Sequence, residues 1–276
     1  MFRVKKALNH NTLIAIGMED NQEYLLIGKG VGFGRKVSER LEAPENCTVY
    51  SLKESTERGQ AKDLVKGIDP VFLEIAEQVL KESERIFGKI DWSILFPMAD
   101  HIAFAVKRIQ NQEQISNPLT GDICALFHME YKTAECIRPI LRERLHVEID
   151  EHEIGYIALH IHSAIEDENV ALSMQIARTV RDCIELVERE TGRRIDVMSL
   201  SYNRLMNHVR YMAARVIKGE KLKLNMNDYM AVKFPDEFRM ASMVCSYLEK
   251  CLKKPLDEVE IGYLAMHIQR VASDDE

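Results

Sequence analysis

The rhythm of hydrophobic and polar positions changes once along the chain. Over residues 1 to 53 apolar side chains come in short runs, VKKAL, TLIAIG, EYLLIG and CTVYSL, rich in Val, Ile, Leu, Thr and Tyr. Turn formers separate them: Asn9-His10-Asn11, Asp20-Asn21, a glycine cluster and Pro44-Glu45-Asn46. Runs of that length with such punctuation predict strands, and their short links predict a four-stranded antiparallel sheet. So small a sheet buries little apolar surface alone, so packing sheet to sheet in a homodimer is expected.

After a polar linker at 54–61, ESTERGQA, apolar residues recur at i, i+3, i+4 and i+7. The pattern covers 69–87, 92–112, 123–145, 151–165, 170–190, 197–218, 228–252 and 257–273, and it predicts amphipathic helices. Within the helical part EIGYIALHIH at 153–162 returns as EIGYLAMHIQ at 260–269. Laying residues 100–164 on 207–271 without a gap gives 17 identities in 65 positions, among them His101 with His208, Arg108 with Arg215, Glu130 with Glu237 and His160 with His267. A fixed offset of 107 residues marks two tandem modules. The expected fold class is multidomain: a small all-β N-terminal domain, then two all-α helical bundles.

Composition narrows the class. At 276 residues the chain suits two or three domains, and 46% hydrophobic with 29% charged content is that of folded protein. No run of 18 apolar residues occurs, and MFRVKKALNHN lacks the apolar core of a signal peptide, so a cytoplasmic protein without membrane insertion is expected. The net charge of −7 is uneven: residues 1–60 hold nine Lys and Arg against eight Asp and Glu, the remainder 28 against 36. That asymmetry allows a nucleic-acid contact at the N-terminus without requiring one. Six cysteines form no C-x-x-C pair, which reads as buried thiols rather than disulfides or a metal site.

The matched histidines admit several chemistries. Metal chelation by His160 and His162 fails on geometry, because helix residues two apart point about 200° away from each other. Catalysis lacks support, since no phosphate loop, G-x-S-x-G or H-E-x-x-H accompanies them, and no catalytic residue, metal or cofactor is expected. Phosphoryl acceptance fits better: an imidazole with a pKa of about 6.5 is largely neutral at cytoplasmic pH and attacks without a separate base. Arg108 and Arg215 follow His101 and His208 by two helical turns on the same face, where each either steadies a phosphate or is a solvated charge. Partly buried structural histidines are the plain alternative.

The glycine run GKGVGFG at 28–34 is neither a Walker loop nor a dinucleotide fingerprint. What it offers is backbone without side chains, a cation at Lys29 and a ring at Phe33 able to stack on an unpaired base. Asn9 and Asn11, in a hairpin turn, supply amides that can read base edges. This is the inventory of a small RNA reader, with DNA not excluded by residues alone.

KKALNHN, then LIGKGVGFG, then two helical modules with paired histidines closing on EIGYIALHIH, resemble the BglG/SacY-type antiterminators of the sugar phosphotransferase system along essentially the whole chain. DHIAFAVKR and EIGYIALHIHSA resemble most the glucose-type branch. The resemblance implies a dimeric co-antiterminator RNA-binding domain at 1–60 and phosphotransferase regulation domains at 61–170 and 171–276. It implies a leader-RNA hairpin as target, with contacts at Lys6, Asn9, Asn11, Gly28, Lys29, Gly30 and Phe33. The implied phosphoacceptors are His101, His160, His208 and His267, with the EIIB component of a phosphorylated sugar permease acting on the first module and the phosphocarrier HPr on the second. Module two departs at Asn207 for Asp100 and Gln269 for His162. Two rivals remain: a phosphohistidine carrier, which leaves the sheet without a job, and a DNA-binding activator, which calls for a helix-turn-helix where strands are predicted.

Overall fold

The computed structural model describes residues 1–53, 65, 67–113, 115–166, 169–195 and 199–273, and the backbone alone at 55, 56, 59 and 60. The N-terminal sheet has five antiparallel strands rather than four, in the order β4-β1-β2-β3-β5: β1 Phe2–Ala7, β2 Thr12–Gly17, β3 Glu23–Ile27, β4 Arg40–Leu41 and β5 Thr48–Ser51. With two residues β4 is too short to show any hydrophobic period, and it forms by pairing with Phe2 and Arg3 at the sheet edge. Part of the expected linker is a small hairpin, β6 Ser55–Thr56 against β7 Gly59–Gln60. Glu54, Glu57, Arg58 and Ala61 lie outside the described residues.

Strand alternation sends Leu13 and Ala15 of β2 into one cluster with Val4, Leu26, Val31 and Leu41. Thr12 and Ile14, on the opposite face, are buried too. There the cover comes from the first helix of the same chain, α1 Pro70–Phe87: Thr12 Oγ1 lies 3.4 Å from the Glu74 carboxylate, and Tyr50 Oη donates to Glu77 over 3.4 Å. One face of the sheet is thus closed without a second copy.

The remaining helices are α2 Leu95–Gln110, α3 Thr120–Leu126, α4 His128–Ala134, α5 Ile137–Leu145, α6 Glu151–Ile165, α7 Val170–Thr191, α8 Leu200–Lys218, α9 Asn227–Lys233, α10 Pro235–Leu252 and α11 Val259–Ser273. Their ends follow local chemistry. Asp69 caps α1 by accepting from Val71 N–H, with Pro70 at the first helical position, and Ser199 caps α8 by accepting from Tyr202 N–H. Gly219 ends α8 at φ 72°, a left-handed conformation glycine adopts without strain.

Two helices read as continuous are broken. The segment 123–145 falls into α3, α4 and α5; α4 and α5 part at 135–136, because Pro139 has no N–H for the Glu135 carbonyl and its ring clashes there. Module two has Ser246 at the matching position, and α10 runs unbroken. Pro235 likewise separates α9 from α10, and a 3-10 turn at Trp92–Ile94 precedes α2.

The chain forms two compact units, Met1–Asn117 with Met129–Val170, and Pro118–His128 with Ala171–Glu276. In the first, α1 and α2 pack together and α2 meets α6. Leu73, Val79, Leu80, Leu95, Ile102, Ile154 and Ile157 are fully buried there, each contributing about 1.5–3 kcal/mol. In the second, α11 packs on α8, α9 and α10, and α3 packs on α8.

Candidate functional site

His101 projects from α2 and His160 from α6, and the rings meet with centroids 5.4 Å apart. On α6, Glu153, Tyr156 and His160 stand at i, i+3 and i+7 and share one face, as do His101 and Arg108 on α2. Packing the two faces gathers all five. Tyr156 lies 5.4 Å from the His101 ring, His101 Nε2 lies 3.1 Å from Glu153 Oε2, and Arg108 donates twice to Glu153 Oε1, at 3.1 and 2.7 Å. Glu153 is 1% exposed. Burial alone would raise its carboxyl, but His101 and Arg108 outweigh that and hold it below the ordinary carboxylate range.

The second module repeats the cluster with changed distances. His208 and His267 stack at 4.4 Å, and Tyr263 lies 6.4 Å from His208. Arg215 grips Glu260 with both prongs, Nε to Oε1 at 2.6 Å and Nη2 to Oε2 at 2.8 Å, while His208 Nε2 stands off at 3.9 Å. Burial, then His267 and Arg215, push the His208 pKa down to about 3. Burial, then Arg270 and Arg204, lower that of His267. A neutral imidazole is a nucleophile without prior deprotonation.

Accessibility differs among the four rings. His101 and His208 keep 12% and 11% of their side-chain surface, His267 is half-buried, and His160 is buried. Arg108 and Arg215 sit in the clusters with their guanidiniums engaged by glutamates. His162 points elsewhere, with Nδ1 2.9 Å from Glu130. No cluster of three or more potential metal ligands occurs among the described residues.

At the sheet, Phe33 is 68% exposed, and its ring meets that of His10 edge-on at 5.2 Å. Lys6, Lys29 and Gly30 are exposed as well. Gly30 takes φ 73° and its N–H donates to Asn11 Oδ1 at 2.9 Å, which fixes the loop against the hairpin turn. Gly32 is closed in, since a Cβ there would sit 2.1 Å from the Asn9 carbonyl oxygen; Gly28 is half-buried against Cys47. Asn9 and Asn11 are half-buried and their amides are engaged: Asn9 Nδ2 donates to Glu74 Oε1 at 2.7 Å and Asn11 Nδ2 to Glu74 Oε2 at 3.2 Å.

Glu153, Glu260, Glu74 and His10 carry no chemistry in the sequence reading. Glu153 and Glu260 were within reach, as identical residues of the repeated helix; Glu74 becomes visible only when α1 packs on the sheet.

A β-sheet with an exposed cation-and-ring loop, joined to helical modules with paired histidines, defines a nucleic-acid-binding regulator governed by its modules. Residues 2–59 match the CAT RNA binding domain, and residues 73–164 and 181–271 each match the PRD domain. Protein GlcT of Staphylococcus haemolyticus is 31% identical over 97% of this chain and 95% of its own length. The PtsGHI operon antiterminator of Bacillus subtilis is 32% identical over 99% and 98%. A crystal structure of GlcT CAT-PRDI matches with a TM-score of 0.51 and 35% identity, over 59% of this chain and 98% of that one. The chain belongs to the PRD-containing transcriptional antiterminators, RNA-binding regulators controlled through the sugar phosphotransferase system and not enzymes.

Proposed function

We propose that this chain holds a hairpin in a nascent leader transcript that overlaps an intrinsic terminator, and that phosphate on its paired histidines decides whether it does so. With the terminator unable to form, transcription reads through into sugar-transport genes. The observation that carries this reading is the duplicated cluster, two histidines from two helices over a buried glutamate–arginine pair at matching positions of both modules. Both histidines and their glutamate, arginine and tyrosine neighbours are kept in two modules that share 17 of 65 positions, which favours a chemical role for the cluster.

In this reading residues 1–60 are the RNA-binding domain, and 61–170 and 171–276 the regulatory domains of a cytoplasmic homodimer. Lys6, Asn9, Asn11, Gly28, Lys29, Gly30 and Phe33 meet the hairpin, Lys6 and Lys29 at phosphates and Phe33 by stacking. The phosphorylated EIIB component of a sugar permease, glucose by resemblance, modifies His101 and His160, and HPr modifies His208 and His267. His160 accepts phosphate only once its pair has opened, since its ring is buried. Each new charge of roughly −2 draws Arg108 or Arg215 away from its glutamate.

Switching an equilibrium from mostly off to mostly on takes about 5.5 kcal/mol. One screened charge pair supplies less, which favours several acceptors per chain. The test is incubation of the purified chain with labelled HPr and, separately, with labelled EIIB domain, followed by mass-spectrometric mapping. Label on the first-module histidines from EIIB and on the second from HPr is expected; label on neither pair would remove the proposal.

A further inference from the structure

We propose that Glu153 is a positioning residue for phosphoryl transfer: it keeps the ring proton of His101 on Nε2, so that the ring attacks through Nδ1. This rests on the reading of His101 as a phosphoacceptor and adds which atom accepts and why. Nε2 of His101 and Oε2 of Glu153 are both buried and lie within ion-pair reach, 3.1 Å apart, and neither atom has a hydrogen-bond partner elsewhere or an aligned hydrogen bond to the other. The carboxylate is locked in place, because Arg108 holds its other oxygen and the Glu153 N–H donates to Asp150 at 2.9 Å. A phosphoryl group on Nε2 would set a charge of roughly −2 against that buried anion. Nδ1 is therefore the productive side.

The step balances. The Nδ1 lone pair forms the new P–N bond while the P–N or P–S bond of a phosphohistidine or phosphocysteine donor breaks, its electron pair leaving with the donor's nitrogen or sulfur. As Nδ1 bonds phosphorus the ring gains positive charge, and the adjacent carboxylate stabilises it while sharing the proton that stays on Nε2. In the second module Arg215 occupies both oxygens of Glu260 and His208 stands 3.9 Å away. His208 thus lacks this help, and it accepts phosphate more slowly than His101.

Trypsin frees residues 90–107 with His101 as their one histidine, so the isomer can be read on that peptide after labelling the full chain with phosphorylated EIIB domain. The expected product is 1-phosphohistidine, phosphate on Nδ1. Glu153→Gln should slow its formation by about ten- to a hundredfold, and Glu153→Ala should yield both isomers, a change that loss of packing alone does not produce. The 3-phosphohistidine isomer in the wild-type peptide, or an undiminished rate in Glu153→Gln, overturns the proposal. An unlabelled peptide overturns the acceptor reading itself, and this inference with it. Should the variants not fold, the wild-type isomer decides.

A separate observation carries a second inference. Both reading amides, Asn9 Nδ2 and Asn11 Nδ2, donate to the one carboxylate of Glu74, which Arg144 anchors at 2.5 Å and which is 6% exposed. The geometry points to an autoinhibitory contact in which the first regulatory helix occupies the donors a base edge would use. RNA and Glu74 then compete, and anything that moves α1 frees the amides.

The probe is the leader transcript of the ptsGHI operon named for the Bacillus subtilis relative, titrated against the full chain. Glu74→Ala and Arg144→Met should each tighten binding about tenfold or more, the equivalent of 1.4 kcal/mol. Adding Asn9→Ala and Asn11→Ala to Glu74→Ala should abolish the gain. Unchanged or weaker binding in both single variants overturns the contact as inhibitory; tighter binding that survives loss of both asparagines overturns their role as readers instead.

Discussion

Phe33 shows what a single side chain contributes when it belongs to no core. Its ring touches His10 and is otherwise open, so Phe33→Ala should leave the melting temperature unchanged and weaken hairpin binding by about 1–3 kcal/mol, the worth of one base stack; a gel-shift titration beside a melt checks both halves. His208 makes a prediction of the opposite kind. Its folded pKa of about 3 lies below the ordinary 6.5, so the unfolded chain binds a proton that the folded one excludes. Its stabilising effect is full above 6.5 and is lost as pH falls toward 3. Between pH 7 and pH 5 the second unit should lose about 2 kcal/mol on this account, and His208→Asn should remove most of that slope in denaturant titrations at the two pH values. The paired histidines were legible because the repeat displays them twice. Glu153 was displayed twice as well, but its role was hidden, because a glutamate at the start of an amphipathic helix reads as a solvated charge until another helix buries it.

At the scale of elements, periodicity found the helices and local chemistry cut them. Apolar spacing is blind to Pro139 and Pro235, which interrupt the hydrogen-bond ladder without disturbing the hydrophobic stripe; α4 and α5 therefore read as one. The two-residue β4 escaped for the converse reason, having pairing but no period. A close approach of elements supports a further test. At Gly262 in α11 a Cβ would lie 2.7 Å from Asn227 Oδ1 and 2.9 Å from the Met226 carbonyl carbon, so α9 seats directly on α11 there. Asn227 fastens the seat, accepting from Gly262 N–H at 2.9 Å and donating to the Glu258 carbonyl at 2.8 Å. Gly262→Ala should cost about 1–3 kcal/mol, visible as a lower melting temperature and faster exchange of amides in the first turn of α11. An unchanged melt would mean that α9 yields more easily than this packing implies.

For the whole molecule, the order of a reading sheet and two histidine modules was plain in the sequence, since the change of hydrophobic rhythm and the 107-residue offset both survive without any contact information. Which helix joins which unit was not. α3 belongs to the first repeat by sequence yet lies in the second compact unit, on α8, and nothing in an amphipathic stripe names its partner. If charge on the first module is the switch, the double substitution of His101 and His160 by Asp should differ from the Ala pair in sedimentation and in hairpin binding; identical behaviour would mean that loss of the rings, not added charge, sets the state. The most direct measurement is the affinity of the full chain for a leader-RNA hairpin that it binds, before and after phosphorylation, with occupancy of His101 verified in the same sample. A change in affinity of tenfold or more that reverses when the phosphate is removed is the predicted result; equal affinity at full occupancy would contradict the account.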